Sequence, residues 1–194
     1  MRHSTAKILT TTILLLTASS AAFAHPGHNI SGFAAGLMHP FAGYDHLLAM
    51  VAVGLWASQG GGRRIWLLPA TFMSMLVIGS VTALQWQSLP LIESGIAVSV
   101  LALGLLIALS LQLPASLGIL ITAMFGLLHG YAHGLDLPLS ASPTAYLLGL
   151  LAGTATLHGS GIAAGIATRK RYASLAKAIG VAIAATGAWM LASM

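Results

Sequence analysis

Two groups of side chains in this sequence have the types and spacing for metal chemistry. His39, Asp45 and His46 stand at the head of one long apolar run, and His129, His133 and Asp136 close another. An ionisable group in hydrocarbon is costly, so clusters of them inside apolar segments point to function. Imidazole nitrogens combined with carboxylate oxygens, and no thiolate, suit borderline divalent ions such as Ni²⁺, Co²⁺ and Zn²⁺. Carboxylate-only sites would suit Mg²⁺ or Ca²⁺ better. Methionine is also present, but Met50, Met73, Met75 and Met124 read as apolar packing.

Helical geometry sharpens the two groups. His129, His133 and Asp136 form one stripe at three- and four-residue spacing, a chelating arrangement. On a continuous helix His39 and His46 share a face but stand about 10 Å apart along the axis. They can serve one ion only if Pro40 and Gly43 break the helix. Asp45 points about 100° from His46 on that geometry, either orienting its neighbour or binding at the edge of the same groove.

The elements that carry these residues are membrane spans. The chain has 194 residues, of which 57% are hydrophobic and 6% charged, with no cysteine; its mean hydropathy is +0.91. A soluble domain carries about a quarter charged residues, so this chain cannot cover itself with a polar surface. Six apolar segments are long enough for a bilayer: 38–58, 65–85, 91–111, 115–135, 144–167 and 173–193. Between them lie breakers, among them Gly60-Gly61-Gly62, Pro90, Pro114 and the stretch from Asp136 to Pro143. The expected fold is an all-α membrane protein, a bundle of about six transmembrane helices. Strands are excluded by continuous apolar runs in place of barrel alternation.

Residues 1–24 read as a cleavable signal peptide: Arg2 and Lys7, an apolar core from Ile8 to Leu16, then Ala22-Phe23-Ala24. Residues 25–194 are expected to form a single transmembrane helical domain. Cleavage places the mature N-terminus outside, so the first and fifth loops face the cytoplasm. Those loops and the span ends that adjoin them hold Arg63, Arg64, Arg169, Lys170, Arg171 and Lys177, as the positive-inside rule requires. The net charge of +5 therefore reflects topology, with no nucleic-acid partner implied. No nucleotide-binding loop is present, and monomer and oligomer both fit the composition.

With this topology the three acidic residues and the histidines of the mature chain fall between the outer face and the midplane. Depth adds Glu93, at the outer end of the third span, and His158, near mid-depth in the fifth, to the candidate metal residues. His25 and His28, at the mature N-terminus, are weaker candidates for holding an incoming cation. Tyr44 and Tyr131 lie within the histidine-rich stretches as hydrogen-bonding support. Trp56, Trp66, Trp86 and Trp189 read as interfacial anchors. Glycines at four-residue spacing (126, 130 and 134; 149 and 153; 161 and 165) read as close helix packing.

Three function classes fit these residues: a metal permease, an intramembrane zinc hydrolase using His129 and His133, and a bis-histidine haem protein. The hydrolase would want a catalytic base placed as in H-E-x-x-H, and the chain has none.

The motifs favour the first and leave the other two to experiment. His39-x5-Asp45-His46, with Leu128-His129-Gly-Tyr-Ala-His133-Gly-Leu-Asp136, resembles the HupE/UreJ family of nickel/cobalt permeases. The signal, length and span count agree. Two positions depart from the family's F-H-G-x-[AV]-H-G-x-E: Leu128 replaces phenylalanine and Asp136 replaces glutamate, one methylene shorter. The resemblance implies a non-enzymatic permease taking up Ni²⁺ or Co²⁺ across the bacterial inner membrane. It carries no prosthetic group, and its partners are the ion and the lipid bilayer. By the same likeness His39, Asp45 and His46 are metal residues of the first span, and His129, His133 and Asp136 of the fourth.

Overall fold

The computed structural model describes residues 32–85, 90–169 and 173–194. Among these there are seven helices and no strand: α1 (Gly32–Ala42), α2 (Tyr44–Gly60), α3 (Arg64–Ala83), α4 (Ile92–Ala108), α5 (Ala115–Leu135), α6 (Pro143–Arg169) and α7 (Ala173–Ala192). Four of them, α3, α5, α6 and α7, are long and apolar enough to cross a bilayer, and α4 is a shorter apolar helix. The protein is an all-helical, multi-pass membrane protein. The expected signal peptide, His25 and His28 lie outside the described residues.

The first expected span corrects the sequence reading. In place of one helix over 38–58 there are two, α1 and α2, separated at Gly43. Gly43 takes an extended conformation (φ −101°, ψ 124°). Pro40, just upstream, lacks an amide proton and disfavours a continuous ladder. The expected third span, 91–111, is also shorter, ending at Ala108. Six full-length spans are therefore not what the helices themselves present.

Elsewhere the expected breakers act as such. Gly61 closes α2 at φ 64°, donating its N–H to the carbonyls of Ala57 and Ser58, and positive φ is tolerated by glycine. Pro143 opens α6, where its missing N–H costs nothing.

The helices pack as close pairs. Helix α3 lies along α5, α4 along α7, and both α1 and α2 along the 27-residue α6. Glycine makes each approach possible. A Cβ on Gly126 or Gly130 of α5 would strike the carbonyl oxygens of Phe72 and Leu76 on α3. On α6, Gly149 and Gly153 meet Phe33 and Leu37 of α1, and Gly161 meets Val51 of α2. One long helix thus holds both halves of the broken one. Between lipid-facing helices burial gives little drive to associate, and such contacts carry the packing.

Helix α2 sits at the centre. From Ala49 to Ser58 every residue but the half-buried Val51 is buried, and Phe72, Leu103, Ile107 and Leu150 of neighbouring helices join its core. Trp56 belongs to this core, its indole N–H donating to the Leu111 carbonyl at 3.3 Å. It is not the interfacial anchor expected, whereas Trp66 and Trp189 are exposed as anchors should be.

Candidate metal site

The break at Gly43 is what assembles the site. It turns the end of α1 back toward the start of α2, so that the rings of His39 and His46 come within 6.3 Å of each other. The end of α5, held against α3 by its glycines, supplies the other side. His133 lies 4.8 Å from His39 and 4.4 Å from His46, and His129 lies 5.2 Å from His46, centroid to centroid. Four imidazoles from three helices therefore form one contiguous cluster.

Two of the rings, His46 and His129, are set by what their Nδ1 touches. The His46 Nδ1 is 2.8 Å from Asp45 Oδ1, and the His46 backbone N–H donates to the same oxygen at 2.8 Å. Asp45 thus touches both the ring and the backbone N–H of His46, the contact an orienting role needs. The His129 Nδ1 is 2.9 Å from the Phe125 carbonyl one turn earlier. A carbonyl or carboxylate can only accept, so both rings carry their proton on Nδ1 and leave the Nε2 lone pair bare. Those Nε2 atoms, and both nitrogens of His133, are buried without a hydrogen-bond partner. His129 and His133 are wholly buried.

Toward the surface, His39 Nε2 lies 3.4 Å from Asp136 Oδ2. Asp136 caps α5 and its side chain is 57% exposed, so this pair forms the mouth of the cluster. The hydrogen bond from His39 holds the Asp136 carboxyl below the ordinary carboxylate range, against a smaller opposing effect of partial burial.

Two further residues complete the surroundings, and neither had a spacing signal. Tyr146 of α6 is buried with its ring 5.8 Å from His39 and its hydroxyl without a partner. Phe72 of α3 is wholly buried and touches both His129, at 5.5 Å, and His158, at 5.2 Å. His158 thus lies one ring beyond the cluster. Glu93 is not gathered in: it is exposed in the first turn of α4, a helix that contributes nothing to the cluster. Tyr44 is also turned aside, its ring 6.2 Å from Trp189. Among the described residues no three His, Cys, Asp or Glu side chains are placed so that they could hold a metal ion as they stand. The imidazoles stand ring against ring, an open donor set rather than a finished coordination sphere.

The family described as HupE / UreJ protein matches residues 13–190. The chain belongs to the HupE/UreJ family. It is also 40% identical over 184 residues to Protein HupE of Rhizobium leguminosarum bv. viciae, covering 94% of this chain and 96% of that one. No solved structure matches. HupE/UreJ proteins are nickel/cobalt transporters at the family level, so the chain is a transporter and the zinc-hydrolase reading of His129 and His133 falls.

Proposed function

We propose that this HupE/UreJ chain is an inner-membrane permease that takes Ni²⁺ or Co²⁺ from the periplasm through the His39–His46–His129–His133 cluster. The observation that carries the reading is the set of buried imidazole nitrogens on His46, His129 and His133 with no hydrogen-bond partner. A buried polar atom without a partner costs about 1–3 kcal/mol, and three histidines in contact concentrate that cost in one place. A borderline dication would supply a partner to one lone-pair nitrogen on each of the three rings. Asp45 acts behind the ligands, keeping the His46 Nε2 lone pair directed inward, as carboxylates do behind metal-bound histidines.

The openness of the cluster supports passage over storage. A permeating ion must be held firmly enough to enter and weakly enough to leave. His39 and Asp136 at the exposed mouth replace the first waters of the ion, and the buried rings replace more. Helices α1–α2 together and the short α4 complete six passes in this reading, with the signal peptide removed and the mature N-terminus periplasmic. The basic loops at Arg63–Arg64 and 169–171 then face the cytoplasm. Membrane potential favours inward movement by about 4.6 kcal/mol for a dication at 100 mV.

Metal accumulation by cells expressing the protein tests this. Wild type is expected to raise cellular nickel or cobalt, and His46→Ala to abolish the increase. Equal accumulation by His46→Ala would remove the cluster from the transport path.

A further inference from the structure

Beyond the cluster lies a second pair of buried donors that neither motif includes. His158 is on α6, and its Nδ1 lies 2.7 Å from the Met50 carbonyl of α2. The carbonyl can only accept, so the proton is on Nδ1 and Nε2 presents a lone pair. That Nε2 is buried without a hydrogen-bond partner. Thr154, one turn earlier on α6 and so on the same face, is wholly buried with its Oγ1 also unpartnered. Serine and threonine hydroxyls in a helix ordinarily return to the carbonyl three or four residues back, as Thr156 and Thr168 do here. The Thr154 hydroxyl makes no such bond.

We infer that Thr154 Oγ1 and His158 Nε2 form a second, deeper station for a divalent borderline cation, separated from the outer cluster by the ring of Phe72. The inference rests on the transport reading above and names the next step on its path. An imidazole nitrogen with a neutral hydroxyl oxygen is a poorer donor set than three imidazoles, so the ion keeps more of its water there and leaves more readily. Phe72 offers no ligand atom, yet its ring touches both His129 and His158. An ion leaving the outer cluster therefore reaches His158 only when that ring turns aside. Phe72 makes the two stations discrete, so that loading and onward passage are separate steps.

Cobalt uptake into proteoliposomes, over a range of Co²⁺ concentrations, tests the inference. His158→Asn is the informative variant, because its side-chain amide nitrogen replaces Nδ1 as donor to Met50 while the Nε2 lone pair is lost. Thr154→Val keeps shape and removes the hydroxyl. Removing such donors is expected to lower the maximal rate about tenfold or more in His158→Asn and less in Thr154→Val, with the half-saturating Co²⁺ concentration changed by no more than about twofold. Wild-type rates in His158→Asn would overturn it. A large rise in half-saturating concentration would also overturn it, by placing His158 in the outer set. If His158→Asn does not fold, an unchanged maximal rate in Thr154→Val overturns the station. A wild-type protein that takes up no cobalt would instead refute the transport reading itself.

Discussion

The Nε2 of His39 lies 3.4 Å from Oδ2 of Asp136, linking the end of α1 to the cap of α5 at the mouth of the histidine cluster. These residues are 97 positions apart in the chain, and their meeting depends on the break at Gly43 that brings the end of α1 beside the start of α2. In the proposed path this carboxylate attracts the dication, and the hydrogen bond it accepts from His39 holds the first imidazole the ion would meet.

Removing that charge while keeping the shape should therefore slow entry. Asp136→Asn is expected to lower nickel and cobalt uptake about tenfold, in the range typical of groups that orient or adjoin metal ligands. Asp136→Glu, which keeps the carboxylate and extends its reach, is expected to retain most of the uptake. Equal loss in both variants would show that the position matters for shape alone.

The same pair has a pH signature in the metal-free protein. The His39 hydrogen bond lowers the folded-state pKa of Asp136. The carboxylate therefore stabilises the fold above its unfolded pKa, about 4. That contribution is lost as pH falls through the lower, folded value. Thermal unfolding in detergent should show wild type more stable than Asp136→Asn at pH 6, with the gap closing below about pH 4. A gap that stays constant with pH would contradict the pairing.

Gly43 is expected to be intolerant for a reason of space. Its backbone angles are open to alanine, yet a Cβ there would lie 2.5 Å from Asp45 Oδ1 and 3.2 Å from His46 Nδ1. Alanine also favours helix over glycine by about 1 kcal/mol, pulling α1 and α2 toward continuity. Gly43→Ala should thus abolish most uptake while the protein still folds, read by uptake alongside circular dichroism. Wild-type uptake in Gly43→Ala would mean that the bend and the Asp45–His46 pair do not matter.

The α3–α5 seam allows a stability test with an internal control. A Cβ on Gly130 would strike the backbone oxygen and carbon of Leu76, which cannot swing away, whereas one on Gly159 meets nothing within 4 Å. Gly130→Ala is expected to cost about 1–3 kcal/mol through overpacking. Gly159→Ala should be neutral or slightly stabilising. Unfolding temperatures of the two variants check this directly.

Much of this arrangement was legible in residue order, and the exceptions have physical causes. Continuous apolar runs between breakers placed α3, α5, α6 and α7 to within about two residues, because length and hydropathy alone decide such segments. Four-residue spacing put the glycines at their seams. The metal candidates His39, His46, His129 and His133 converge because two of them share a helix face and the other two flank a break. That break was the one condition spacing could state but not decide, since Pro and Gly near a helix end are also compatible with a kink. Phe72, Tyr146 and Thr154 gave no signal, being ordinary residues of apolar helices whose importance comes from partners on other helices. Trp56 and Tyr44 misled for the converse reason: aromatic residues near span ends read as anchors or as hydrogen-bonding support until packing turns Trp56 inward and Tyr44 toward Trp189. Glu93 entered on depth alone, and depth does not say which helix faces the site.

The central claim is that the bare imidazole nitrogens of His46, His129 and His133 receive a borderline dication. Titration of purified, metal-free protein with Co²⁺, followed by its visible ligand-field absorption, tests this most directly. The prediction is saturable bands characteristic of nitrogen ligation in wild type, lost when His46 and His133 are both replaced by alanine. No bands in wild type, or identical bands in the double variant, would contradict it.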